Sequence, residues 1–248
     1  MRVAVVGGGI SGKAIKQALL DRGATAELLS RSTGFDVLQD NATLRLAGFD
    51  VVIEATGRFT TSRKTATEFF TRSTRALAAA AQHHGAHHIL LSIVNCERPE
   101  VQGYGYFAGK AAQERVARSE SDKLTIIRST QWFEFAAQNL VRLKVGPVSL
   151  VPQMTIQPVA LEAVAEVIAD VAVGGRIGDS VELAGPETMT LWDMTKQLPT
   201  RRQVILPLPM PGKLGRAFRK GICVPGPQAQ RIGPLYSRWL AEHAPPTA

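Results

Sequence analysis

Three consecutive glycines, with a fourth three residues on, stand between a run of branched apolar residues and a stretch of helical spacing. Val3-Ala4-Val5-Val6 leads into Gly7-Gly8-Gly9-Ile10-Ser11-Gly12, and apolar residues recur at Ile10, Ala14 and Ala18 before Gly23. A buried strand that turns straight into a helix through such a segment is one β-α step with a very tight turn. The G-x-G-x-x-G spacing at that junction lets the backbone approach a ligand closely. It also leaves unpaired N–H groups at the positive end of the helix, where an anion is favoured. Gly7, Gly9, Ile10, Ser11 and Gly12 are therefore the candidate cradle for the pyrophosphate of a dinucleotide.

The same step repeats along the first 130 residues. Strands are predicted at Ala26 to Leu29, Asp50 to Ile53, Ile89 to Ser92 and Leu124 to Ile127. Helices are predicted from Ile10 to Arg22, Asn41 to Leu46, Thr65 to His84 and Ala108 to Ser119. Strands separated by helices imply a doubly wound parallel α/β sheet. Beyond Ser129 the pattern predicts a helix from Trp132 to Leu143, loop or short strand from Gly146 to Thr155, and a helix opened by Pro158 that ends at Gly174. A sixth strand follows at Val181 to Ala184. The remainder, rich in proline, reads as a loop-rich covering layer with short helices near 213–220 and 236–243. The expected organisation is one domain over 1–248, with a dinucleotide-binding core in 1–130 and the last strands and substrate-covering segments in 131–248.

Composition narrows the function classes. With 45% hydrophobic residues the chain can bury a substantial core, which excludes disorder. Two cysteines, Cys96 and Cys223, suit neither a disulfide scaffold nor a zinc site. With no leader pattern and no apolar run of spanning length, they predict a cytoplasmic protein without a membrane partner. The net charge of +8 is lopsided: eight basic residues from Arg201 onward face one acid, Glu242. No aromatic residues interleave with them as a base-stacking surface would need, so a small-molecule substrate is expected rather than nucleic acid. A homo-oligomer is compatible with the sequence.

The tip of the second strand discriminates between cofactors. A free ribose 2′-hydroxyl wants an acid there and a 2′-phosphate wants a cation. Leu29-Ser30-Arg31-Ser32 offers Arg31 flanked by hydroxyls and no acid, which favours NADP over NAD, although an exposed loop arginine is also common. Tyr106 and Lys110 fall at i and i+4 on one helix face, where the ammonium can bring the phenol's pKa down from about 10. Such a tyrosine can donate a proton to a carbonyl oxygen, with Ser92 at a strand tip to assist. A solvated helix face produces the same spacing by chance. His83, His84, His87 and His88 crowd one stretch, but Gly85 breaks the helix between the pairs. They read as solvated groups at a helix C-terminus, and no metal is expected. Trp132, Phe133 and Phe135, after the fifth strand, fit either core or a pocket wall.

Taken together, several motifs resemble the NmrA-like branch of the atypical short-chain dehydrogenase/reductases. They are Val5 to Gly12, Phe35-Asp36-Val37, Asp50 to Gly57, Leu91-Ser92, Tyr106 with Lys110 and Ala112-Gln113-Glu114, Ile127 to Phe133, Gln157 to Ala160 and Glu182 to Glu187. The resemblance implies that Gly7, Gly9 and Gly12 cradle pyrophosphate and that Ser30 and Arg31 meet the 2′-phosphate. Asp36 and Val37 would line adenine, and Ala55, Thr56 and Gly57 would pass behind the cofactor ribose. Lys110 would bond the nicotinamide ribose, and Tyr106 would be the acid/base beside Ser92. The implied activity is NADPH-dependent reduction of a carbonyl, quinone or activated double bond on a small, largely apolar substrate. The alternative is an NADP(H)-binding redox sensor without turnover. Two departures stand out: Val6 occupies a position where many relatives have glycine, and the helix after the third strand has no asparagine for a water relay.

Overall fold

The computed structural model describes residues 1–175, 178–199 and 204–243. In chain order its elements are β1 (Arg2–Val6), α1 (Ile10–Asp21), β2 (Thr25–Leu29), α2 (Ala42–Arg45), β3 (Val51–Glu54), α3 (Arg63–His84), β4 (His87–Ile93), α4 (Gly105–Glu120) and β5 (Leu124–Ser129). There follow α5 (Phe135–Arg142), β6 (Lys144–Val145), β7 (Val148–Pro152), β8 (Thr155–Ile156), α6 (Leu161–Ala172) and β9 (Ser180–Ala184). The last are β10 (Met189–Thr190), α7 (Leu191–Lys196), β11 (Val204–Leu208), α8 (Gly212–Arg219), β12 (Gln230–Arg231) and α9 (Tyr236–His243).

Seven strands form the main parallel sheet in the order β12-β9-β5-β4-β3-β1-β2, flanked by helices, which is the doubly wound arrangement the sequence implies. β1 sits between β2 and β3, with Val3 opposite both Ala26 and Val51. A central parallel strand is covered on both faces, which is why Val3 to Val6 and Val51 to Ile53 are uninterrupted apolar runs and are buried throughout. One core cluster packs Ala4, Val6, Leu29 and Val52 of the sheet against Leu77, Ala80 and Ala81 of α3. Ser62 caps the start of α3 by accepting from the Thr65 amide, and Gly85, at φ +65°, ends it.

The chain divides into two compact units, 1–128 with 164–181, and 129–163 with 182–248. The first holds β1 to α4 with most of β5, and takes in most of α6. Within the second, β11-β7-β6 make a separate three-stranded sheet and β8 pairs with β10. Phe133, Tyr236 and Trp239 form an aromatic core there, with centroids 5.1 Å apart for Phe133 and Tyr236.

Several local expectations are corrected. The helix expected from Trp132 begins at Phe135, because Trp132 bridges to Val159 in extended conformation. Leu161, not Pro158, opens α6 for a similar reason. The proline-rich stretch contains a true strand, β11, paired in parallel with β7. Pro207 is tolerated because β11 is an edge strand, whose outer N–H groups need no ladder partner. Among the described residues no helix is long and apolar enough to cross a membrane. Arg201 and Arg202, part of the basic C-terminal excess, lie outside the described residues.

Candidate functional site

All the candidate site residues fall in the first unit, at the tips of its parallel strands and on α4. At the tip of β1 the backbone adopts φ +136° at Gly7, and a side chain there would drive its Cβ to 2.4 Å from the Ala55 carbonyl oxygen. At Gly12 a Cβ would come 1.8 Å from the Gly7 oxygen, so the first turn of α1 closes directly onto the loop. At Gly8 it would strike Ser30, 2.8 Å away. Gly9 faces open space. No side chain caps α1 and no acid stands in its first turn, so the N–H groups and dipole of Ile10 and Ser11 are left for an anion.

The structure thus brings the tips of β1, β2 and β3 together, since Gly7 touches Ala55 and Gly8 touches Ser30. After β2 a single 3-10 turn, Arg31–Thr33, carries an exposed Arg31. Ser30 Oγ lies 2.9 Å from Ser32 Oγ, and Ser30 N donates to Thr33 Oγ1 at 2.8 Å, which ties the turn into a hydroxyl cluster. Asp36 and Val37 are half-buried just beyond, where Asp36 Oδ1 accepts from the Leu38 amide at 3.0 Å. Ala55 and Thr56 are buried behind the glycine turn and Gly57 is exposed.

On α4, Tyr106 and Lys110 share one platform. The Phe70 ring of α3 lies edge-on to Tyr106 with centroids 5.8 Å apart, and the Lys110 ammonium sits 4.7 Å from the same ring. This approach depends on glycine: a Cβ at Gly109 would lie 2.6 Å from Phe70, and one at Gly105 would lie 2.6 Å from the Ser62 carbonyl. Lys110 is 3% exposed and donates to the Leu91 carbonyl at 2.9 Å and to Gln113 Oε1 at 2.8 Å. Burial pulls its pKa down from 10.5 to about 8, against the opposing pull of Glu54, Cys96 and Glu114.

Ser92, also buried, is drawn to a different group. Its hydroxyl is hydrogen-bonded to Glu114 and lies 4.0 Å from Cys96 Sγ. Glu114 accepts from Arg128 through Nε at 2.8 Å and Nη2 at 2.6 Å, and from Arg118 at 2.9 Å. Burial raises its pKa, and the two guanidiniums more than offset that, holding the carboxyl below the ordinary range. The Cys96 thiol is pushed well above its usual value, first by burial and then by Glu114 and Glu97.

Sequence reasoning assigned no role to Glu54, at the end of β3 and 0% exposed. It accepts from Gln113 Nε2 at 2.7 Å, Thr74 Oγ1 at 2.9 Å, Thr56 Oγ1 at 3.0 Å and Ser73 Oγ at 3.2 Å. His88 Nε2 lies 3.3 Å from Glu54 Oε2. His88 is thus a buried strand residue, held on its other side by Ser121 Oγ at 2.8 Å, and not one of a solvated group at the end of α3. The available signal was an acid closing a run of three apolar residues on a central strand, which demands buried donors. Among the described residues no group of three His, Cys, Asp or Glu side chains could hold a metal.

No protein-family model matches the chain, and no curated protein sequence matches it. Solved structures do. An NADPH-dependent quinone oxidoreductase from Escherichia coli, complexed with NADPH, superposes with TM-score 0.69 at 14% identity, over 98% of this chain and 99% of that one. A short-chain dehydrogenase/reductase superfamily protein from Agrobacterium tumefaciens with bound NAD gives TM-score 0.68 at 16% identity, over 98% and 95%. The triphenylmethane reductase of a Citrobacter species, complexed with NADP(H), gives 0.65 at 14%, over 96% and 98%. At these identities the likeness is one of fold: the chain has the Rossmann-like α/β architecture that those proteins share.

Proposed function

We propose that the protein is an NADPH-dependent oxidoreductase, an atypical short-chain dehydrogenase/reductase of the NmrA-like branch. Its reaction is the reduction of a carbonyl, quinone or activated double bond on a small, largely apolar substrate. The observation that carries this reading is the seating of Tyr106 and Lys110 on one buried ring, Phe70, in the same compact unit as the glycine turn. The likeness in fold to reductases crystallised with NADPH or NADP(H) supports it.

The residues present fit the cofactor. Gly7 and Gly12 stand where any Cβ would collide with backbone, Gly9 opens outward, and α1 is uncapped, which suits a pyrophosphate on the N–H groups of Gly9 to Gly12. Ser30 and Arg31 receive the 2′-phosphate, Asp36 and Val37 the adenine, and Ala55, Thr56 and Gly57 back the ribose. When bound, NADPH supplies the hydride. Tyr106 delivers a proton to the oxygen on which charge develops, and Ser92, to assist it, exchanges its bond to Glu114 for one to that oxygen. Lys110 has three N–H donors, of which Leu91 and Gln113 engage two. The third is available to a ribose hydroxyl, and the positive charge favours the phenolate of Tyr106.

The test is Tyr106→Phe in a cofactor-oxidation screen against aldehydes, quinones and enones. NADPH affinity should stay nearly intact while turnover falls by about 10²–10⁴, the contribution typical of general acid catalysis. Undiminished turnover would remove Tyr106 from the mechanism. Turnover by no form, with a partner protein whose affinity follows the cofactor's redox state, would establish the sensor instead.

A further inference from the structure

A buried ammonium needs a compensating negative charge, and the surroundings of Lys110 leave one supplier. The Leu91 carbonyl, the Gln113 amide oxygen and the Phe70 ring contribute partial charges only. Of the anionic groups that face it, Glu114 is engaged by two guanidiniums, those of Arg118 and Arg128. Cys96, in the loop after β4, is held as a neutral thiol by its raised pKa. Glu54, on β3, has no guanidinium or ammonium in hydrogen-bonding contact among the described residues; its donors are three hydroxyls and the Gln113 amide, with His88 of β4 beside it.

Gln113 is the link. Its Oε1 accepts from Lys110 at 2.8 Å and its Nε2 donates to Glu54 at 2.7 Å. An ammonium can only donate and a carboxylate can only accept, so the two partners fix which way the amide points. The chain Lys110 to Gln113 to Glu54 is therefore polar in one direction and tolerates no flip. We infer that Glu54, acting through Gln113, is the positioning residue that keeps the Lys110 ammonium charged and seated on Leu91 and Phe70. The inference rests on the oxidoreductase reading for its consequence in catalysis, but the state of the lysine can be measured apart from it.

The measurement is a pH titration of the Lys110 side chain by NMR in the full-length protein labelled with ¹³C-lysine, the resonance being assigned by its loss in Lys110→Arg. In the wild type the midpoint should lie near 8. Glu54→Gln removes the counter-charge and should lower it by roughly one pH unit or more, a tenfold loss of proton affinity. The exchange Glu54→Gln with Gln113→Glu keeps one carboxylate and one amide, now with the carboxylate directly on the ammonium. It should bring the midpoint back to the wild-type value or above. Should Glu54→Gln fail to fold, Gln113→Leu breaks the link with Glu54 in place and should also lower the midpoint.

A merely structural role for Glu54 predicts lost thermal stability with no movement of the midpoint. A midpoint unmoved in a folded Glu54→Gln or Gln113→Leu protein overturns the inference. Where a substrate has been found, the alkaline limb of the turnover profile should follow the NMR midpoint from variant to variant. If no form turns over any substrate, the oxidoreductase reading falls, and the lysine midpoint still decides this one.

Discussion

Arg31 shows what a single exposed side chain can contribute when the backbone around it is fixed. Ser30 packs against Gly8, so the 3-10 turn that carries Arg31 is placed by the glycine loop itself. The hydroxyls of Ser30, Ser32 and Thr33 hold one another and leave the guanidinium as the charged group of the turn. A phosphate there would meet a planar fork of donors, the geometry an arginine supplies best. The wild type should therefore bind NADPH more tightly than NADH by roughly 10- to 150-fold, the range expected for a hydrogen bond to a charged group. Arg31→Asp should reverse that order, since aspartate accepts from a free 2′-hydroxyl and repels a phosphate. Titration calorimetry with both cofactors checks this, and equal affinities in the wild type would remove Arg31 from the site.

At the scale of elements, the contact between α3 and α4 matters most, because it carries Phe70 beneath Tyr106 and Lys110. Two effects compete at Gly109. Alanine in a helix interior is favoured over glycine by about 1 kcal/mol. Its Cβ would here stand 2.6 Å from the ring of Phe70, itself 0% exposed, and 2.9 Å from Ala66 Cβ. Overpacking of that kind costs about 1–3 kcal/mol, so the clash should win. Gly109→Ala should lower the melting temperature by a few degrees, at about 2–4 °C per kcal/mol for a chain of this size. Scanning calorimetry decides the sign, and a raised melting temperature would show that α4 can lift off α3 without loss.

The legibility of these elements follows the range of the interactions that make them. β1 and β3 could be read because burial on both faces leaves an unbroken apolar run, and the glycine turn and the Tyr106 and Lys110 pair because their spacing is local. β11 was hidden by Pro207, whose tolerance depends on an edge position that only the assembled sheet defines. Glu54 and Gln113 carried no assigned role, and His88 was read as solvated, for a related reason. The bond between Gln113 and Glu54 spans 59 residues, and no local pattern announces a partner that far away.

For the whole molecule, the buried ionisable groups set how stability changes with alkaline pH. Cys96 lies in the first compact unit and Cys223 in the second, both 0% exposed. Burial pushes the Cys223 thiol from 9.0 up to about 12, and Cys96 is raised as well. A thiol whose folded pKa exceeds its unfolded one leaves stability untouched below about pH 9. Above that, the unfolded chain loses its proton while the folded one keeps it, so each thiol removes about 1.4 kcal/mol per pH unit. Lys110 acts in the opposite sense. With its pKa near 8 in the fold and 10.5 outside it, it returns about the same amount per unit between those limits. Tyr236, raised by burial and by Glu134, adds its own loss only above 10. Between pH 9 and 10 two thiols against one lysine leave a net loss of about 1.4 kcal/mol. Cys96→Ala with Cys223→Ala should abolish that decline and leave the rise due to Lys110, about as steep as the decline it replaces. Urea unfolding at intervals from pH 8 to 10 under reducing conditions measures both slopes. An equal decline in the two proteins would mean that the thiols keep the same pKa folded and unfolded, and that groups other than these set the alkaline limit.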